Sequence, residues 1–135
     1  MDSLDANRRL VRQYVEAMNR GDMDRLRSLF TEDAIVHGVM GWGGLDKVIP
    51  IWQALHDGIA MELTVEEMVA EGDRVAVRYI ERGKSVGTFF GNEPTGKSYE
   101  IIAMEWFVMK GAKIWKRWGA RDSASQSRQL GFPPS

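Results

Sequence analysis

The sequence predicts one α+β domain, with helices first and an antiparallel meander second. Three observations predict it. Leu10, Val11, Tyr14, Val15 and Met18 recur at helical spacing near the start. From Met61 onward the apolar period becomes two. Glu71-Gly72-Asp73 and Lys110-Gly111-Ala112 then separate consecutive apolar runs by tight-turn residues. At 135 residues the chain is long enough for one core, and it contains no repeat, linker or low-complexity segment, so 1–135 is read as a single domain.

The first helix is predicted over residues 4–19, with Ser3 or Asp2 as its cap. Gly21 ends it, and Asp22 caps a short second helix that runs through Phe30. Ala34 to His37 forms a first short strand. Gly38, Gly41, Gly43 and Gly44 form a flexible connection. Leu45 to His56 is a third helix with Ile49, Trp52 and Leu55 on one face; Pro50 is tolerable there only near the helix start. Met61 to Val69 and Val75 to Ile80 form a hairpin. Gly87 to Gly96 is a loop with the turn sequence Asn92-Glu93-Pro94-Thr95-Gly96. Tyr99 to Met109 and Lys113 to Arg121 form the last hairpin. The tail, ending Gly131 to Ser135, is expected to fray.

Composition excludes several classes of function. Net charge is −1, with 18 basic and 19 acidic residues interspersed, so neither a nucleic-acid stripe nor a polybasic membrane patch forms. No apolar run reaches membrane-spanning length, and the polar start reads as neither signal nor transit peptide; a cytoplasmic protein is expected. With no cysteine there is no disulfide, thiolate nucleophile or Cys-based zinc site. Two histidines with no ligand at metal spacing argue against a metal. Phosphate loops, dinucleotide fingerprints and serine elbows are missing, so no cofactor is expected. Five Trp and eight Met suit an apolar pocket or simply a core.

The strand from Ile101 to Val108 bears on assembly. Ile101, Ala103 and Phe107 lie on one alternating set; Ile102, Met104, Trp106 and Val108 lie on the other. A sheet with one wet face should alternate apolar and polar. Both faces are therefore expected to be covered, the second by another subunit in a homodimer or by the chain's own loop or C-terminal segment.

Gln13-Tyr14-Val15-Glu16-Ala17-Met18-Asn19-Arg20-Gly21-Asp22, running on to Leu29-Phe30-Thr31-Glu32-Asp33-Ala34, resembles the opening of SnoaL-like polyketide cyclases and ketosteroid isomerases, within the nuclear-transport-factor-2-like superfamily. The likeness continues in Val69 to Arg78, Pro94-Thr95-Gly96-Lys97, Gly111-Ala112-Lys113-Ile114, Trp118 and Gln129-Leu130-Gly131, so it spans nearly the whole chain. It implies a cone: a curved antiparallel sheet packed against N-terminal helices around an apolar pocket. Met18, Trp52, Phe107 and Trp118 are expected to line that pocket. These residues identify the fold well and the reaction poorly.

The resemblance places Tyr14 at the oxyanion-hole tyrosine of ketosteroid isomerases, and Glu105 at their protonated, hydrogen-bond-donating aspartate. Proton abstraction beside a carbonyl puts charge on its oxygen, which two donors in a dry site stabilise. Read on its residues alone, Tyr14 is also an ordinary apolar-face tyrosine, and Glu105 is also a carboxylate paired with Arg117 across the hairpin. The isomerase base falls at Gly38, and the cyclase aspartate falls at Gly119; neither has a side chain. The candidate replacements are Asp122, which also reads as a cap, and His37, which also reads as a solvent-facing strand end. His56 reads as a helix-end cation. Arg78 and Tyr79 point inward or outward according to register. The expected function is a cofactor-free acid–base enzyme on a carbonyl-bearing apolar small molecule, an isomerase or aldol-type cyclase. Its alternative is a ligand-binding or dimerisation module that lost its bases.

Overall fold

The computed structural model describes residues 3–133. Asp2, one of the two candidate caps, and Pro134 and Ser135 of the tail lie outside the described residues. Helix α1 spans Ser3–Arg20 and buries Leu10, Val11, Tyr14, Val15, Ala17 and Met18 on one face. Gly21 takes the left-handed conformation that ends it, at φ 69°. Asp22 then accepts from the Arg25 amide to cap α2, Met23–Leu29. Strand β1 is Phe30–Gly38, β2 is Gly41–Gly43, and α3 is Leu45–Ile59, which continues through Pro50. The meander is β3, Glu62–Glu71; β4, Arg74–Lys84; β5, Ser98–Lys110; and β6, Lys113–Arg121. A last helix, α4, covers Ser123–Leu130.

One curved, open sheet takes all six strands in the order β2-β1-β6-β5-β4-β3. It is antiparallel except where β1 runs parallel to β6. Register shifts leave Glu66 of β3 and Trp115 of β6 unpaired; such bulges bend a strand and raise its twist. One large core joins α1, α2 and α3 to the inner sheet face. A smaller cluster of Ile59, Phe89, Tyr99, Ile101 and Leu130 sits beside α4.

Three sequence expectations change. The glycine-rich connection holds β2, which pairs with β1 through Val36, His37 and Gly38, so it is a hairpin rather than a flexible link. The residues after β6 form α4, capped by Asp122 and closed by left-handed Gly131. Beyond it Phe132 stacks near Phe89 at 6.1 Å, and its amide donates to the Ser127 carbonyl, so this part of the tail is packed. Finally, the two apolar sets of β5 differ in fate, except that Val108, expected with the outer set, is buried. Tyr99, Ile101, Ala103, Glu105 and Phe107 are buried inward; Ile102, Met104 and Trp106 are 55%, 53% and 47% exposed on the outer face.

Candidate active site

Period two sorts the inner face. Val75, Val77, Tyr79 and Glu81 of β4 are buried together, as are Glu105 and Phe107 of β5. On β6, Arg117, Gly119 and Arg121 share that face. These strands and α1 bring a carboxylate to one end of an apolar recess. The cavity inside the recess is small, about 40 Å³, and it opens to solvent. Met18, Val36, Val48, Trp52, Leu55 and Met61 line its apolar part; Tyr14, Glu105, Arg117, Arg121 and Gln126 line its polar end.

Glu105 is 4% exposed and accepts on both oxygens. Tyr14 and Tyr79 each donate a hydroxyl to Oε1 at 3.0 Å. Arg117 donates Nη1 to Oε2, and Arg121 Nη2 lies 3.6 Å from the same oxygen. Burial, then the Glu105 charge, pushes the hydroxyls of Tyr14 and Tyr79 far above the ordinary tyrosine range, so both stay protonated and donate. Burial is the largest influence on Arg117 and works against its charge, but Glu105, Tyr14 and Tyr79 together outweigh it and hold the guanidinium above its ordinary value. A charged guanidinium cannot accept, so Glu105 is here an acceptor and not the proton donor that the resemblance implies.

Arg121 joins this cluster to a second one. Its Nε donates to Glu81 at 2.7 Å. Glu81 is fully buried and also accepts from Tyr99 at 2.7 Å and from Gln126 of α4 at 3.1 Å.

The two missing carboxylates have a steric account. A Cβ on Gly119 would stand 2.7 Å from Arg117 Nη1 and 3.4 Å from Glu105 Oε2. A Cβ on Gly38 would stand 3.5 Å from Arg117 Nη2 and 3.3 Å from the Gly41 carbonyl oxygen. Both glycines border one guanidinium, which blocks a side chain at Gly119, whereas at Gly38 the tighter neighbour is the Gly41 carbonyl oxygen.

The other expected residues disperse. Met18 and Trp52 line the recess. Phe107 is core, edge-on to Tyr14 at 5.0 Å. Trp118 lies on the outer face, and His37 is stacked there between Trp42 and Trp118, at 5.2 and 5.1 Å. His37 and Trp118 thus belong to the opposite face because their strand parity is opposite to that of Val36 and Arg117. Asp122 caps α4, accepting from the Ser125 amide at 2.9 Å, and does not turn inward. His56 is in the last turn of α3, against Gly21. The pairing of Glu105 with Arg117 across the hairpin is the alternative reading given above, and Tyr79, left open by register, faces inward. Arg121 was not singled out as a site residue; its signal is its parity with Arg117 on β6.

Among the described residues no three His, Asp or Glu side chains gather to hold a metal ion, and no helix is long and apolar enough to cross a membrane. Residues 8–130 match the SnoaL-like polyketide cyclase family. A search of curated proteins finds no match. Among solved structures, the chain is similar to IdmH of Streptomyces antibioticus, a candidate polyketide cyclase. Identity there is 26%, covering 93% of this chain and 99% of that one, with a TM-score of 0.81. AclR of Streptomyces galilaeus, a candidate hydroxylase, is 22% identical over 98% of this chain and 85% of its own, at 0.87. A protein of Catenulispora acidiphila with a ketosteroid isomerase-like fold, solved with trimethylamine, is 18% identical over 92% and 93%, at 0.78. The last two likenesses concern the fold alone. With its family matched across both the helices and the sheet that build the recess, this chain belongs to the SnoaL-like polyketide cyclases.

Proposed function

We propose that the recess binds a carbonyl-bearing apolar small molecule and that the protein moves a proton on it without a cofactor, as an aldol-type cyclase or an isomerase. The observation that supports this is Glu105, a buried carboxylate at the polar end of the recess, with two guanidinium groups and a tyrosine hydroxyl beside it. Glu105 takes a proton from the carbon next to the carbonyl. The electron pair moves to the carbonyl oxygen, where Arg117, Arg121 and Tyr14 stabilise the enolate. In a cyclase that enolate carbon attacks a second carbonyl, and the new alkoxide recovers the proton from Glu105. In an isomerase the proton returns to another carbon. The family and the likeness to IdmH favour the cyclase form. His37 and Asp122 lie away from the recess and take no part in this scheme.

One observation favours the alternative, a ligand-binding module without turnover. Four groups already face the two oxygens of Glu105, which leaves little acceptor capacity for a substrate proton. Screening carbonyl compounds for turnover separates the two. General-base catalysis contributes about a hundred- to ten-thousand-fold, so Glu105→Gln should lower turnover by that order. Binding of the same compounds with no turnover in the unmodified protein would establish the module instead.

We also propose that Ile102, Met104 and Trp106 meet a second copy of the chain. Sedimentation of the protein at micromolar concentration should give two chains, and Trp106→Ser one. A monomer before substitution ends the idea.

A further inference from the structure

Arg117 reaches Glu105 through Nη1. Its Nε is buried and has no hydrogen-bond partner among the described residues. Its Nη2 lies toward Gly38, 3.5 Å from where a Cβ there would stand, and Gly38 and Arg117 both line the recess. Nε and Nη2 form the side edge of a guanidinium, two parallel N–H donors that match the two oxygens of a carboxylate. A buried donor without a partner costs stability and calls for an explanation. The ring of Trp52 lies beneath the guanidinium, 5.9 Å from its carbon, and helps hold its plane. Beyond this edge the walls are Val36, Val39, Met40, Val48 and Ile51.

We infer that this edge of Arg117 grips a carboxylate, so that the recess takes an apolar acid with its carboxylate against Arg117 and its hydrocarbon along β1 and α3. The inference rests on reading the recess as a ligand site, and it does not require turnover. Glycine at 38 leaves space beside Nη2; a Cβ there would touch Nη2 at 3.5 Å and narrow that space. Glu81 and Glu105 balance Arg117 and Arg121, so the acid adds one uncompensated charge. That limits the preference for a carboxylate over a neutral isostere to roughly tenfold, the gain expected from charge-assisted over neutral hydrogen bonds.

Calorimetry with naphthoate and naphthamide tests this. The amide has the same hydrocarbon but offers one oxygen, and its NH2 would face a donor. Naphthoate should bind roughly tenfold more tightly, and it alone should shift the Arg117 Nε–H resonance. Gly38→Ala, which leaves the Glu105–Arg117 pair in place, should bring the two affinities together, as should Arg117→Lys if it folds. Equal affinities in the unmodified protein, no binding of naphthoate at millimolar concentration, or a preference that survives Gly38→Ala would each overturn the inference. Turnover of a neutral carbonyl compound that naphthoate does not inhibit would end this inference and leave the proton-transfer reading intact. The acid preference seen without any turnover would support it and count against that reading.

Discussion

Glu81 and Glu105 sit on adjacent strands, face the same way and are both buried, yet their surroundings assign them different work. Glu81 accepts from one residue each of β5, β6 and α4, and does not line the recess. It fastens the last helix to the sheet. Glu105 accepts from two tyrosines and an arginine, and it does line the recess. Arg121 divides its hydrogen-bonding groups unequally, with Nε on Glu81 at 2.7 Å and Nη2 3.6 Å from Glu105. A buried carboxylate is therefore not in itself a sign of chemistry. What distinguishes Glu105 is open space beside it.

The largest effect should come from removing a buried counter-charge. Arg117→Met leaves Glu105 in the core without its closest cation, and breaking such a pair costs about 3–5 kcal/mol. Urea unfolding should show that loss, and the double variant Arg117→Met with Glu105→Gln should recover much of it. The corresponding change at the other carboxylate, Glu81→Gln, keeps a hydrogen-bonding group for Tyr99. It should chiefly loosen α4, seen as faster amide exchange over 123–130. Equal loosening of α4 in both variants would erase the distinction drawn between the two sites.

Two glycines sharpen the comparison at smaller scale. Gly83 lies beside Tyr99, the partner of Glu81; a Cβ there would stand 2.2 Å from the Ile59 carbonyl oxygen and 2.4 Å from the Tyr99 ring. Gly119 lies beside Arg117, and its Cβ would meet the end of that side chain at 2.7 Å. Backbone cannot yield as a guanidinium can. Overpacking typically costs about 1–3 kcal/mol, and Gly83→Ala should fall at or above the top of that range, Gly119→Ala lower in it. Gly119→Ala should instead disturb the recess, read as a change in naphthoate affinity that Gly83→Ala lacks.

Much of the fold was legible because α1, α3 and the meander carry strong periodic patterns. The bounds of β6 agree with the expected 113–121. Helix α4 was missed because Ser-Ala-Ser-Gln-Ser-Arg-Gln-Leu has almost no apolar face; tertiary hydrogen bonds from Gln126 and Gln129 hold it instead. Strand β2 was missed because two of its three residues are glycine, and pairing with β1 supplies what propensity does not. In the site, Tyr14 and Glu105 were found through the resemblance, and parity brought them together. The candidate bases His37 and Asp122 do not reach the recess. His37 neighbours Gly38 on β1 and so points to the opposite face, and Asp122 lies past the end of β6, where it caps α4. Arg117 was legible as the cross-hairpin partner of Glu105; what the sequence did not display is that its guanidinium borders both Gly38 and Gly119.

The tyrosines provide the last separation of the two clusters. Burial, with the neighbouring carboxylate second, raises the hydroxyls of Tyr14, Tyr79 and Tyr99 far above their ordinary value. A group with a raised folded pKa contributes stability that is fully present below its unfolded pKa and lost above it. For tyrosine that unfolded value is about 10, so stability should be flat on this account at neutral pH and fall above pH 10. Each fully protected tyrosine steepens the fall by about 1.4 kcal/mol per pH unit. Glu105 holds two of the three and Glu81 one. Tyr14→Phe and Tyr79→Phe together should therefore remove about two-thirds of the alkaline slope, and Tyr99→Phe about one-third, once each variant is referenced to its own neutral stability. Urea unfolding between pH 9 and 11 measures these slopes. An equal contribution from both clusters would mean that Tyr14 or Tyr79 reaches solvent through the recess.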